Sequence, residues 1–383
     1  MALTRREFGK LTLASVPAVA LFENPLFAQA RPNSLINGVQ IGTITYSFRS
    51  MPEQTAEATL QYTIQSGISA IELMGGPVND YARKRTGFTP PAAAGGGGGR
   101  GGAGAGRAGG GGRGGRGAAD PATLTGNWNG VACAPGQPGE DPVTGNEPLT
   151  SGAGRGGRGG EPPTPEQMAN AEAERKWRMG LSMDVFRDLR KMYNDAGVSI
   201  YAVKDVRQQT DEDLEYTFAV AGALGADHVT LELPSGPTAG ATLKRLGDWG
   251  ARKKIHVAYH THAQGSMTAF DEAFRISPGN TANVDFGHMV AGGNRGGTPM
   301  DFLNRFHGRI SSYHLKDRTL PQNCALNLPW GTGQTPIRDI LQLIAKNRWT
   351  FPGSIELEYT VPEGSDAVKE VAKCVDYCRR MLV

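Results

Sequence analysis

Ile310-Ser311-Ser312-Tyr313-His314-Leu315-Lys316-Asp317-Arg318 is the stretch whose reading decides the fold. It reads as a short strand whose last inward positions, His314 and Lys316, sit two apart and therefore share one face. A neutral imidazole in such a place can bind a metal ion, and an ammonium two residues on can offset an anion that the metal helps create. Three further strand-like stretches end in the same manner. Ile255–His262 closes on His260 and His262, Asn283–His288 on Asp285 and His288, and Ser354–Thr360 on Glu356 and Glu358. The 383 residues include seven histidines, and four of them fall in this set, so the set rather than any one member carries the reading.

Working outward, four earlier strand-like segments precede these: Val39–Tyr46, Ala70–Met74, Ser199–Lys204 and His228–Pro234. Helical patterns fill the gaps. One lies around Thr55–Gln65 and stops at Gly67, and another carries Leu181, Val185, Leu189 and Met192 before Gly197. Thr210 stands three residues before Asp213 as a capping-box start, and Gly225 ends that helix. Thr298-Pro299 and Thr335-Pro336 each place a capping hydroxyl before a proline at the first helical position. Val368, Val371, Val375 and Cys378 form the apolar stripe of the last helix. Eight strands alternating with helices favour a (β/α)8 TIM barrel over a doubly wound sheet.

Two segments stand outside that barrel, which is expected to occupy residues 31–383. Residues 1–30 read as a twin-arginine signal: Thr4-Arg5-Arg6-Glu7-Phe8-Gly9-Lys10, the apolar run Leu11–Leu21 and the small-residue site Ala28-Gln29-Ala30. The expectation is export to the periplasm or beyond, with no membrane span left once the signal is removed. Residues 90–161, after the second strand and ahead of the helix expected to follow it, are glycine-rich and dotted with Arg100, Arg107, Arg113, Arg116, Arg155 and Arg158. Such a composition buries too little apolar surface to offset the entropy of ordering it, and it reads as a disordered insertion near the catalytic mouth. Trp128 and Cys133 are the residues that could dock it back on the barrel. Glycine-arginine repeats also suit single-stranded RNA, but the export signal and the lack of interleaved aromatics argue against it. A net charge of +3 implies neither a nucleic-acid partner nor a membrane surface. Four cysteines give no disulfide framework, and Cys374 and Cys378, one helical turn apart, read as core-facing thiols.

In a parallel barrel only the inward positions at the carboxyl ends of strands reach the mouth. Four consecutive strands here end in metal-competent residues, and two carboxylates with two imidazoles suit one divalent cation with positions open for substrate. Singly, each has a plainer reading: a hydrogen-bonded histidine, a solvent-facing Glu358, or an Asp317 that caps a loop.

Val284-Asp285-Phe286-Gly287-His288, then Ala291-Gly292-Gly293, then the strand ending His314-Leu315-Lys316-Asp317, together resemble the xylose-isomerase-like TIM-barrel superfamily of sugar (phosphate) isomerases, epimerases and dehydratases. Tyr259-His260-Thr261-His262 is similar to a stretch of its dehydratase-like members, and Gly331-Thr332-Gly333 to the Gly-x-Gly that often follows the seventh strand. The resemblance implies metal ligands Asp285, His314 and Glu356, with His260 where many relatives place a glutamate, and Glu232 as a carboxylate that could stand in. Glu72 is a further candidate. Lys316, His262, His288 and Glu358 would be the catalytic, substrate-facing groups. The implied cofactor is one divalent ion, Mn2+ first and Zn2+, Co2+ or Mg2+ otherwise, and the implied partner is a small carbohydrate, with oligomerisation left open. The implied chemistry is removal of a proton beside the carbonyl of a keto-sugar or related polyol through an enediolate. Reprotonation gives isomerisation or epimerisation; loss of a β-substituent makes the enzyme a lyase or dehydratase, toward which His260 leans. A non-catalytic carbohydrate-binding barrel and a phosphodiesterase of the endonuclease IV kind are the rival readings.

Overall fold

The strands form where branched and aromatic residues alternate with small or polar ones, because each strand must face helices on one side and a narrow barrel interior on the other. The structure, a computed structural model, describes residues 31–90, 127–128, 131–132 and 164–383. The eight barrel strands are β1 (Val39–Ile44), β2 (Ala70–Met74), β3 (Ser199–Lys204), β4 (His228–Glu232), β5 (His256–His260), β6 (Asn280–Asp285), β7 (Ile310–Leu315) and β8 (Gly353–Ile355). All neighbours pair in parallel, and β8 returns to β1, so the sheet closes into a (β/α)8 barrel. Leu35–Ile36 adds a short antiparallel partner to the start of β1.

The helices that matter for the site are α1 (Ala56–Gln65), α2 (Gly75–Thr86), α3 (Pro165–Met179), α4 (Asp184–Asp195), α5 (Asp211–Leu224), α6 (Ala239–Lys253), α7 (Asp271–Ile276), α8 (Phe286–Ala291), α9 (Pro299–Phe306), α10 (Ile337–Asn347) and α11 (Ala367–Met381). The capping signals hold for α5 and α9, where Thr210 with Asp213 and Thr298 with Asp301 form reciprocal boxes; each cap contributes about 1 kcal/mol. Gly225 closes α5 with φ of +80°, a value glycine reaches without strain. Val371, Cys374, Val375 and Cys378 of α11 are buried, and both cysteines are free thiols.

Four local expectations need correction. On α4 the buried positions are Phe186, Leu189 and Tyr193, while Val185 and Met192 lie at the edge of the stripe, because the bulkier aromatics take the face against the barrel. Thr335 caps no helix. Its Oγ1 accepts from Arg318 N at 3.0 Å, and α10 starts after Pro336. Helix α2 follows β2 directly, so the glycine-rich stretch comes after that helix and not before it. Cys324 is disulfide-bonded, a pairing the sequence did not lead us to expect.

The proposed signal lies outside the described residues, and so does most of the glycine-rich stretch, Cys133 included. What is described of the latter is a two-stranded antiparallel pair, Asn127–Trp128 with Val131–Ala132, whose first strand packs beside the 3-10 turn Pro321–Asn323 that follows β7. Among the described residues no helix is long and apolar enough to cross a membrane.

The apolar core sits between sheet and helices, with Tyr259, Phe286, Phe302 and Tyr313 among its largest members. The barrel interior is different. Instead of branched aliphatic layers it holds a hydrogen-bonded polar column around Glu72, His228, Thr230, Asn283, Ser312 and Ser354, all buried. Glu72 Oε1 accepts from Thr230, and Glu72 Oε2 accepts from Asn283 Nδ2 at 3.2 Å and Ser354 Oγ at 3.2 Å.

Candidate metal and catalytic site

At the carboxyl end of the barrel, β5, β6, β7 and β8 each deliver one donor. His260 and Asp285 are the last residues of β5 and β6, His314 is inward-facing near the end of β7, and Glu356 follows β8. Strand register does the alignment: Asp285 pairs with His314, and His260 with Asn283 and Glu232. One ligand atom from each of His260, Asp285, His314 and Glu356 lies within 4.8 Å of all the others, and all four residues are buried. This buried group could hold a metal ion.

The hydrogen bonds around the four donors fit a cation. His314 Nε2 lies 2.7 Å from Glu72 Oε2, which leaves Nδ1 toward Glu356 Oε2 at 2.8 Å and Asp285 Oδ2 at 4.0 Å. Asp285 Oδ1 accepts from His288 N at 2.6 Å, capping α8. Its other oxygen, Oδ2, is buried and accepts no hydrogen bond, with Lys316 Nζ the nearest cation at 3.1 Å. The Lys316 ammonium offsets this buried oxygen, and a divalent ion among the N and O donors would do so more fully.

Electrostatics sort these groups by protonation. Burial, reinforced by the charges of His314 and Lys204, lowers His260 to about 3, so its imidazole is neutral and free to ligate. Burial would lower His314 too, but the carboxylates of Glu72 and Glu356 outweigh it and raise the group to about 10. Against burial, His314 holds Glu72 well below the usual carboxylate range, and Lys316 with His314 does the same for Glu356. Asp285 moves up, through burial and the adjacent Glu356 charge. Lys316 is a buried ammonium kept charged, despite burial, by Asp285, Glu356 and Glu358.

Lys316 sits at the centre of the groups beside the four donors. Its Nζ lies 2.8 Å from Glu356 Oε2, 2.7 Å from Glu358 Oε2 and 2.8 Å from His288 Nε2. Gly287 lets it lie there, since a Cβ on Gly287 would run into the Lys316 side chain and come within 2.6 Å of its carbonyl oxygen. His288 does not end a strand, as the sequence suggested: β6 stops at Asp285, and His288 sits in the first turn of α8. Arg318 donates to its Nδ1 at 2.6 Å, and burial with the Lys316 and Arg318 charges pushes His288 well below its ordinary value. His262 lies beyond β5, its ring 4.8 Å from that of His288 and 5.3 Å from that of His260. Glu232 is not in the four-donor group. It pairs with Lys204 Nζ at 2.9 Å and approaches His262 Nε2 at 3.5 Å; burial would raise it, but Lys204, with the two histidines, holds it at about 2.

Three contributors stood out less in the sequence. Glu72 lies behind His314, outside the four-donor group; its signal was an acid inside the short apolar strand Ala70–Met74. Asn283 bonds Glu72, His260 and Ser312, and only its polarity in a buried parallel strand pointed to it. Arg318 gave no signal separable from a surface arginine, yet it is buried. Asp317 has the plainer role: its carboxylate accepts from the backbone N–H groups of Gly331, Gly333 and Thr335 and ties down the loop after β7.

Residues 180–380 match the sequence profile described as Xylose isomerase-like TIM barrel. The chain belongs to the xylose isomerase-like TIM barrel family. Among solved structures, this family member is similar to the probable 3-DHS dehydratase AsbF involved in petrobactin synthesis from Bacillus anthracis, at 12% identity and a TM-score of 0.50, over 88% of this chain and 98% of that one. A sugar phosphate isomerase/epimerase from Parabacteroides distasonis is 14% identical with a TM-score of 0.48, over 90% of this chain and 96% of that one. At such identities the likeness speaks to the fold. No curated protein matches this xylose isomerase-like barrel.

Proposed function

We propose that the protein is a divalent-metal-dependent enzyme that removes a proton beside the carbonyl of a keto-sugar or related polyol, acting in the periplasm after twin-arginine export. The observation that carries the reading is the convergence of His260, Asp285, His314 and Glu356 from four successive strands, with a buried Asp285 oxygen among them that accepts no hydrogen bond and lies beside the Lys316 ammonium. Membership of a family whose neighbours include isomerases, epimerases and dehydratases supports the substrate class. The disulfide at Cys324 is in keeping with an oxidising compartment.

His260, Asp285, His314 and Glu356 would hold the ion, Mn2+ first; when bound, it would supply Lewis-acid polarisation of the substrate carbonyl. Glu358, at the edge of the buried centre and bonded to Lys316, is the base that takes the α-proton. Lys316 offsets the negative charge that arrives on the substrate oxygen, a role in which a preorganised cation is worth several kcal/mol. Glu358, protonated by taking the α-proton, returns the proton to the substrate, while neutral His288, held by Arg318 and Lys316, and His262 beside it line the substrate face.

One observation favours elimination over two-base epimerisation. The carboxylate on the opposite rim, Glu232, is committed to Lys204 and held at about 2, which makes it a weak base. Incubation of metal-loaded protein with 3-keto-glycosides and simple ketoses in deuterated water tests the proposal. Deuterium at the α-carbon with the substituents retained indicates isomerase chemistry, and release of aglycone or water indicates a lyase. Absence of both with every keto-sugar tried contradicts the reading and leaves a non-catalytic sugar-binding barrel.

A further inference from the structure

We infer that Asn283 is a positioning residue that fixes the tautomer of His260 and so makes a histidine serviceable where the resemblance leads one to expect a glutamate. A carboxylate ligand needs no orientation of a proton; an imidazole does, because only the nitrogen without hydrogen can bind a cation. His260 is buried at the end of β5, directly across from Asn283 in the β5–β6 register, and its Nδ1 lies 3.2 Å from Asn283 Oδ1.

The orientation of the Asn283 amide is dictated by what lies behind it. Glu72 can only accept, and it lies 3.2 Å from Asn283 Nδ2, so the amide nitrogen faces Glu72. The second amide hydrogen goes to Ser312 Oγ at 3.0 Å. With both amide hydrogens committed, Oδ1 has to face the imidazole as an acceptor. His260 therefore carries its proton on Nδ1 and offers Nε2 as a lone pair. The same Glu72 oxygen takes His314 Nε2–H at 2.7 Å, so the two imidazoles present opposite nitrogens, Nε2 of one and Nδ1 of the other. A single buried carboxylate, acting directly on His314 and through Asn283 on His260, thus orients both nitrogen donors.

This rests on the metal-site reading for its consequence, but the tautomer can be read without metal or substrate. The test is long-range 15N–1H NMR of histidine-labelled, metal-free protein at neutral pH, assigned with a His260→Gln variant. The wild-type His260 should show the Nδ1–H pattern. In Asn283→Leu, which keeps the branched shape and removes all three bonds, the Nε2–H form should appear and Mn2+ affinity should fall about 10–100-fold. Asn283→Asp retains an acceptor for His260 and should keep the Nδ1–H pattern even where the repulsion against Glu72 weakens the fold. A wild-type His260 protonated on Nε2 overturns the inference even if the leucine variant fails to fold. So does an Asn283→Leu protein with unchanged tautomer and unchanged Mn2+ affinity. Failure of the wild-type protein to bind Mn2+ would instead count against the metal-site reading, leaving the tautomer result to stand or fall by itself.

Discussion

Glu72 and His314 are both wholly buried, and their side chains meet at 2.7 Å between Oε2 and Nε2. Each comes from a different strand, β2 and β7, and neither touches solvent, so each is the main compensation for the other's charge. Removing Glu72 leaves the His314 imidazolium with Glu356 as its remaining carboxylate partner, and losing one partner of a buried pair typically costs about 3–5 kcal/mol. Glu72→Leu in the metal-free protein should lose about that much in urea unfolding, and binding of metal should restore part of it. A loss under about 1 kcal/mol would mean the pair is not held as described.

Metal binding should release a proton. In the metal-free protein His314 is raised to about 10, so at pH 8 it is an imidazolium that must give up a proton before Nδ1 can ligate. Titration with Mn2+ in weak buffer at pH 8 should liberate about one proton per ion, and affinity should rise with pH up to about 10. The sign for stability is opposite. His314 has its value raised from 6.5 on folding, so its contribution to the metal-free protein is complete below about 6.5 and is lost as pH rises through about 10.

Lys316→Met keeps the length of the side chain and removes the ammonium. Three carboxylates, Asp285, Glu356 and Glu358, then lose their shared cation, so the variant should retain bound Mn2+. Proton exchange into the keto-sugar should fall about 10^2–10^3-fold, the usual cost of losing one charge-stabilising group. Loss of metal together with activity would instead make Lys316 part of the binding site.

Gly287→Ala tests the close approach beneath Lys316. The added methyl has no room beside the Lys316 side chain and carbonyl oxygen, so the strand end or the helix start must shift. A destabilisation of about 1–3 kcal/mol is expected by thermal unfolding, with activity falling further than stability because Lys316 is displaced.

The barrel and most of the donors were legible in the sequence because their signals are local. Strand-end residues spaced two apart, as in His314 and Lys316, need only the pleat to be read. Asp285 is read from the same pleat, but His288 was misplaced because Asp285 both ends β6 and caps α8, and a chain that turns from strand to helix in one residue gives no punctuation. The parts played by Glu72, itself a further candidate, and by Asn283 and Arg318 were harder to read for another reason. Their roles arise from contacts between residues 30 to 242 apart in sequence, which nothing in the neighbouring residues records. Glu232 shows the converse: an inward carboxylate at a strand end whose partner, Lys204 on the adjoining strand, takes it away from the metal donors.

Anomalous diffraction from crystals of Mn2+-loaded protein decides whether the four strands share one ion. One strong peak is expected, bounded by His260 Nε2, Asp285 Oδ2, His314 Nδ1 and Glu356. A peak on His262, His288 and Glu358 with those four left unligated, or no peak in the barrel at all, would contradict it.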